Sequence, residues 1–299
     1  MGALENIHKE NTDFSHLAKI HPCLGGEAHA TFGRIHLPVS PTCNIQCKFC
    51  KRDCNSDEER PGVANGILAP EDAVETVRKA LELCPQITVV GIAGPGDTLA
   101  TPYALETFRL VNEAYPNLVK CLSTNGLLLA RYAQDLYDAG VRTVTVTVNA
   151  VESDILSQIN SSVVLDGQVY CGKEAAVKLI AAQLEGIRLA SKLGMVVKVN
   201  SVLIPGINED HIGLIAKTVK EAGASLYNII PLIPQHKLSH IPAPTCEQLN
   251  QARETAETQL EVFRHCKHCR ADACGIPGQL DLSYKLYGTL KRLETFSHG

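Results

Sequence analysis

The stretch Arg34-Ile35-His36-Leu37-Pro38-Val39-Ser40-Pro41-Thr42-Cys43-Asn44-Ile45-Gln46-Cys47-Lys48-Phe49-Cys50 runs from an apolar, strand-like segment into a loop bearing three cysteines. The C-x3-C-x2-C spacing supplies three thiolates and not four. A cubane iron–sulfur cluster has four irons and normally takes four cysteines. Three ligands on one short loop leave one iron open, and an open metal position is where catalysis happens. A zinc knuckle closed by Cys54 is the competing reading of the same residues. The strand before the loop matters as much as the thiols, because parallel α/β folds hold their ligands at the C-terminal ends of strands.

Working outward, the sequence alternates strand-like and helix-like segments. Apolar, β-branched runs occur at 35–39, 87–92, 118–122, 144–148, 196–202 and 225–230. Helical patterns follow at 70–83, 102–114, 127–139, 173–193 (after a short turn at 152–159), 209–222 and 246–263. Pro70, followed by Glu71 and Asp72, suits a helix start. Gly140, Gly194 and Gly223 stand where helices end ahead of strands, as C-cap glycines do. Six βα units imply a parallel sheet. The expected fold is α/β, a partial (βα)6 TIM-like barrel spanning 34–263. Extensions at 1–33 and 264–299 are expected over the barrel top, and a doubly wound open sheet is the runner-up. The prolines of 231–244 mark a loop into the last helix.

Bulk properties narrow the function. The chain has 299 residues, 45% hydrophobic and 20% charged, as in an ordinary globular protein. Its net charge of −4, with Lys and Arg dispersed, lacks the basic footprint of a nucleic-acid binder. No apolar run reaches the length of a membrane span, and residues 1–10 hold no signal core, which points to the cytoplasm. Twelve cysteines in a cytosolic chain read as metal ligands or catalytic groups sooner than as disulfides.

Chemically loaded residues gather at the predicted strand ends. They are the cysteine loop, Gly94-Pro95-Gly96-Asp97, Cys121 to Gly126, Thr147-Val148-Asn149, Lys198-Val199-Asn200-Ser201 and Pro231. One Asn or Ser at a strand end is an ordinary turn or cap residue; six ends on one rim mark a site. Cys266 and Cys269 form a C-x2-C pair with metal or redox spacing. Cys84, Cys171, Cys246 and Cys274 have no partner at ligand spacing and read as small buried or surface residues. His36 sits inside the first strand opposite Ile35, Leu37 and Val39, where a packed histidine is the simpler reading.

The cysteine loop and the glycine-rich strand end resemble the signature of the radical S-adenosylmethionine (AdoMet, SAM) superfamily. There the open iron binds the amino and carboxylate groups of AdoMet. A narrower resemblance covers about 21–275 and rests on three sets of segments. The first is His21-Pro22-Cys23, Glu27-Ala28-His29 and Pro41-Thr42-Cys43-Asn44-Ile45-Gln46-Cys47. The second is Arg60-Pro61-Gly62-Val63, Ala93 to Asp97 and Ser123-Thr124-Asn125-Gly126. The third is Val197 to Ser201, Pro205-Gly206 and His265-Cys266 to Ala273. Together they resemble the NifB family of nitrogenase cofactor biosynthesis.

That resemblance implies a ligand inventory and a reaction. Cys43, Cys47 and Cys50 would hold the AdoMet-cleaving [4Fe–4S] cluster. Cys23, His36 and Cys121 would hold one [4Fe–4S] substrate cluster, and Cys54, Cys266 and Cys269 the other. Candidate cofactor contacts are Phe49, Gly94, Gly96, Asp97, Thr124, Asn149, Asn200 and Ser201. One AdoMet would methylate a cluster sulfide, and a second would give a 5′-deoxyadenosyl radical that takes hydrogen from that methyl. The two clusters would then fuse around a carbide, with an added sulfur, into the eight-iron precursor. Glu27 is a candidate proton acceptor and Cys121 a candidate catalytic residue; an exposed surface acid is the simpler reading of Glu27. Expected partners are a low-potential electron donor (ferredoxin or flavodoxin), a cluster donor, and scaffold or carrier proteins that accept the product. The chain stops soon after the last motif, so a stand-alone form without a C-terminal carrier domain is expected. The competing enzyme reading is another radical AdoMet protein with auxiliary clusters, acting on a peptide or small molecule. A plain iron–sulfur electron carrier and a zinc-stabilised binding module are the non-enzyme alternatives.

Overall fold

The computed structural model describes residues 15–290 and, as backbone only, residues 296 and 297. Residues 1–14 and the end of the C-terminal extension lie outside the described residues, so the reading of 1–10 has no structural counterpart.

Each β-branched run forms a strand. The strands are β1 (Gly33–His36), β2 (Ile87–Ile92), β3 (Val119–Thr124), β4 (Val141–Thr147), β5 (Val196–Leu203) and β6 (Leu226–Pro231). A short β7 (Cys274–Gly275) pairs antiparallel with β1. The order across the sheet is β6-β5-β4-β3-β2-β1-β7, with β1 to β6 all parallel. Every crossover therefore steps one strand in the same direction. A doubly wound sheet reverses its order at a switch point; this one never does, which is the arrangement of a part-barrel.

The connecting helices are α2 (Ala73–Leu83), α3 (Tyr103–Ala114), α4 (Leu129–Asp138), α5 (Gly172–Lys192), α6 (Ile212–Ala222) and α7 (Cys246–Glu257), preceded by α1 (Gly26–Thr31). Neighbouring helices from α2 to α7 pack side by side in one outer layer. Strand alternation explains why. Outward positions such as Ile35, Val90, Leu122, Val144, Val199 and Tyr227 form a buried core with the helices. Gly140 and Gly223 adopt φ of +86° and +109° after α4 and α6, where a left-handed residue closes a helix end.

Two segments depart from the sequence expectation. The helix expected over 246–263 ends at Glu257, and Val262 instead bridges Tyr227 in parallel beside β6. Residues 160–171 form a hairpin, Asn160–Leu165 with Gln168–Cys171, joined by Ile45–Cys47 of the cysteine loop.

The inward face of the sheet is layered. At the strand starts Val89, Val119, Val196 and Leu226 meet Leu17, Leu24 and Phe263 in a small apolar plug. Residues 15–24 thus seal the bottom of the half-barrel instead of covering its top.

Candidate active site

The signature loop is built on a backbone ladder. Gly96 and Asp97 donate their N–H groups to Ser40 O at 2.6 Å and Thr42 O at 2.8 Å. A Cβ at Gly96 would lie 1.9 Å from Thr42 O, so only glycine lets the two loops lie this close. The Asp97 carboxylate accepts from Asn125 N (2.6 Å), Leu99 N (3.0 Å) and the Thr124 hydroxyl (3.0 Å). Asp97 and Thr124 therefore lace the ends of β2 and β3 together. Asn125 in turn donates to Asn44 Oδ1 and stands 3.8 Å from Cys43 Sγ. Phe49 packs beneath the loop in a cluster with Cys43, Ile45 and Leu127.

Cys43, Cys47 and Cys50 are electrostatic neighbours within this loop. Burial pushes their thiols up, Cys43 to about 11 and Cys47 well above its ordinary value, while the Arg52 guanidinium opposes the shift in all three. A metal reverses that preference by taking the proton's place. Three thiols on one loop, Cys43 buried and Cys47 and Cys50 half-buried, with a shared cation, fit the AdoMet-type [4Fe–4S] cluster.

A second group of ligand-type side chains lies deeper, above the apolar plug. His36 projects inward from β1, and a Cβ at Gly91 would come 2.9 Å from its ring, so the glycine on β2 makes room for it. His36 Nδ1 bonds Arg270 O at 3.1 Å; burial drives its pKa down to about 4 and keeps the ring neutral, as a metal ligand must be. Cys121 faces inward from β3 against Thr143. Cys23 arrives on the N-terminal segment, its thiol pushed up to about 12 by burial, with Cys121 and Cys269 as neighbours. His21 fixes this segment: its Nδ1 accepts from Cys23 N–H at 3.1 Å, which leaves Nε2–H to donate to Thr143 Oγ1 at 3.3 Å. Lys198, 7% exposed on β5, is the common neighbour of His21, Cys23, His36 and Cys121.

The C-x2-C segment crosses the open side of the half-barrel. Residue 263 leaves the β6 edge, where Phe263 N–H donates to Tyr227 O, and the chain rejoins the sheet as β7 on the β1 edge. Cys266 packs on the apolar plug, and Cys269 Sγ accepts from Arg34 Nη2 at 3.2 Å. Arg34 and Cys269 also line a cavity of about 370 Å³. Arg270 and Asp272 form a buried ion pair at 2.9 Å. Arg270 donates to Glu58 O and Asn55 O, and Asp272 accepts from Asn65 N and Nδ2. The pair clasps the C-x2-C segment to the loop that begins at Cys54.

The remaining expected residues divide. Asn200 stays on the inward face, accepting from Asn228 Nδ2 at 3.1 Å. Asn149 caps β5 through Val202 N at 2.8 Å. Ser201 turns outward to the helix layer, where it donates to Val148 O and accepts from Tyr227 OH, so it does not face the lumen. Glu27 is exposed on the first turn of α1. Cys84 and Cys274 are buried in the core, and Cys171 and Cys246 are exposed, as small non-ligand cysteines would be. Among the described residues no three His, Cys, Asp or Glu side chains surround a single ion. A cubane cluster is larger and binds each ligand on a different iron.

Comparison with known proteins fixes the family. The Radical SAM superfamily model matches residues 37–219. The FeMo cofactor biosynthesis protein NifB of Methanocaldococcus infernus is 49% identical over 271 residues, covering 90% of this chain and 89% of that one. The chain belongs to the NifB family. The NifB of Klebsiella pneumoniae is 45% identical, with 88% of this chain matching 58% of that longer one. A radical SAM methyltransferase structure from Sphaerobacter thermophilus shares the fold of this NifB-family chain. Its TM-score is 0.55 at 19% identity, over 77% of this chain and 65% of that one. Family membership makes the chain a radical SAM enzyme with a [4Fe–4S] cluster and AdoMet.

Sequence reading of this NifB-family chain missed Arg34 and Arg52, and placed Lys198 at a loaded strand end without giving it a role. The available signal was parity: Arg34 and Lys198 are charged residues at inward positions of otherwise apolar strands, where charge is rare without a role.

Proposed function

We propose that this protein fuses two [4Fe–4S] substrate clusters, with insertion of an AdoMet-derived carbide and an extra sulfur, into the eight-iron precursor of the nitrogenase FeMo cofactor. The observation that carries the reading is the second ligand group. Cys23, His36 and Cys121 converge on Lys198, deeper in the half-barrel than the signature loop, with Cys269 beside Cys23. A radical SAM enzyme acting on a peptide or small molecule does not require thiols at those positions.

The resident cluster, when bound through Cys43, Cys47 and Cys50, supplies the electron that splits AdoMet. The protein's own contribution is placement. Gly94 and Gly96 offer a close backbone surface at the end of β2 for the methionine part of AdoMet, with Asn200, Asn149 and Phe49 as further candidate contacts. Cys23, His36 and Cys121 would present one substrate cluster, and Cys54, Cys266 and Cys269 the other. The Arg270–Asp272 clasp sets the distance between Cys54 and the C-x2-C pair. Neutral His36 would ligate without first losing a proton, and Cys121 lies level with it across the β1-β2-β3 ladder. The plug of Leu17, Leu24 and Phe263 excludes water from below. Glu27 as proton acceptor would require α1 to turn inward when substrate binds. A ferredoxin or flavodoxin would supply electrons, and cluster donors and cofactor-accepting scaffolds or carriers would load and unload the site. Among the described residues no helix is long and apolar enough to cross a membrane.

The test is iron content after anaerobic reconstitution. Three four-iron clusters predict about twelve irons per chain, falling to about eight when Cys43, Cys47 and Cys50 are all changed to Ala. A value near four that vanishes in the triple variant overturns the cluster-fusion reading.

A further inference from the structure

On the inner face of the half-barrel two buried cations have no carboxylate partner among the described residues. Lys198 is 7% exposed, as is Arg34. Among the described residues Lys198 Nζ donates to Cys23 O at 3.2 Å and lies 5.4 Å from the Phe263 ring. Arg34 donates to Gly275 O at 2.7 Å and to Cys269 Sγ, and its Nε is buried without any acceptor. Neither forms an ion pair with Asp or Glu among the described residues; the groups that bear on Arg34 are the thiols of Cys269, Cys23 and Cys274. Buried cations are normally paired, because taking a charge out of water unpaired is costly. Arg270, by contrast, has its carboxylate within the chain. The two unpaired cations point at the same side chains from opposite walls. Lys198 stands on β5 beside Cys23, Cys121 and His36, and Arg34 on β1 beside Cys269 and Cys23.

We propose that Lys198 and Arg34 are the counter-charges for a thiolate-ligated iron–sulfur substrate, holding its negative charge inside the half-barrel from two sides. The inference rests on the cluster-substrate reading and deepens it. An iron–sulfur cluster with thiolate ligands is an anion, and the acid that bears on this site, Asp272, is already paired with Arg270. Lys198 acts as an anion-positioning residue that also sets the potential of the bound cluster, since a buried positive charge close to iron favours the reduced form.

The experiment uses anaerobically reconstituted full-length protein, wild type against Lys198→Met and Lys198→Arg, with Arg34→Met as a second site. Iron per chain and the midpoint of a redox titration followed by electron paramagnetic resonance are measured. Lys198→Met is expected to lose about four of about twelve irons, or to retain them with a cluster potential shifted to more negative values. Lys198→Arg, which keeps the charge, is expected to hold the wild-type count and lie nearer the wild-type potential. A merely structural tie to Cys23 O moves no potential. If Lys198→Met keeps both the wild-type iron count and the wild-type potential, the counter-charge role is wrong while the cluster-substrate reading stands. If wild type itself holds about four irons, both fail together. Should Lys198→Met not fold, the Arg34→Met potential decides, and an unshifted value overturns the proposal.

Discussion

Breaking the Arg270–Asp272 clasp should damage one ligand set and leave the signature set alone. The two side chains are 3% and 0% exposed. Changing Arg270 to Met removes two hydrogen bonds to Asp272, at 2.9 and 3.2 Å, and two to the Glu58 and Asn55 carbonyls, at 2.6 and 2.8 Å. Asp272 would keep only the Asn65 donors, at 2.6 and 2.8 Å, and would stay buried as an anion without its cation. Removing one partner of such a pair costs about 3–5 kcal/mol. Met matches the length of the arginine stem, so little of the loss is packing. A double-mutant cycle in urea with Asp272→Asn isolates the pair, because Asn keeps an acceptor for Asn65 without the orphaned charge. The single variants should therefore sum to more than the double variant by about 2 kcal/mol or more. Hydrogen exchange should quicken in the loop around 53–65, and iron should fall by the share assigned to Cys54, Cys266 and Cys269. Additivity within about 0.5 kcal/mol, or loss of the signature irons first, would refute the clasp.

Two further outcomes follow from the same geometry. Gly96→Ala places a methyl 1.9 Å from Thr42 O and must open the ladder to Ser40 and Thr42. Overpacking and two lost hydrogen bonds together cost about 3–5 kcal/mol; AdoMet binding by equilibrium dialysis should fall with stability, and wild-type binding would remove the tight approach as a constraint. His21 is held near pKa 3 by burial, below the value of 6.5 it has when exposed, so the unfolded chain takes up the proton first. The stability it contributes is complete above about pH 6.5 and declines by about 1.4 kcal/mol per unit as pH falls toward 3. The difference in unfolding free energy between wild type and His21→Gln should shrink across that window; a pH-independent difference would mean His21 is not buried neutral.

The sequence made the repeat legible because β-branched runs and C-cap glycines are local signals, and all six long strands lie where those runs are. The doubly wound alternative was not excluded by periodicity, since strand order is a long-range property. It took the ladder β1-β2-β3-β4-β5-β6 to decide. The helix expected to 263 stopped at Glu257 because the apolar residues from Leu260 to Phe263 have a better use as an extra edge segment beside β6, where burial against Tyr227 outweighs helical propensity. Cys43, Cys47 and Cys50 were readable from spacing alone. Cys23, His36 and Cys121 are separated by up to 98 positions and share no spacing, so the resemblance could group them but spacing could not. Ser201 sits in a polar strand end, but strand parity sends it to the helix side, toward Tyr227, which a list of strand-end residues does not reveal.

The incompleteness of the barrel explains where the additional candidate ligands come from. A sheet closed by eight strands fills its interior with side chains and admits other residues only over its rim. Here the sheet has two free edges, β6 and β1, and each is capped by chain from outside the repeat: 261–263 on one side and Cys274–Gly275 on the other. The ten residues between them, 264–273, must cross the gap, and Cys266 and Cys269 lie on that crossing. Cys23 arrives from below, on the segment that seals the strand starts, and meets Cys269 beside Arg34. Candidate ligands on a crossing loop differ from strand-borne ones: their spacing is set by the two edge pairings and by the Arg270–Asp272 clasp, not by the sheet. Lengthening the crossing by one glycine between Ala271 and Asp272 should therefore leave the parallel sheet and the signature irons in place while uncoupling Arg270 from Asp272. Far-ultraviolet circular dichroism and iron count together read this out. Loss of the sheet in that insertion variant would mean the crossing is part of the fold's core and not a ligand carrier laid across it.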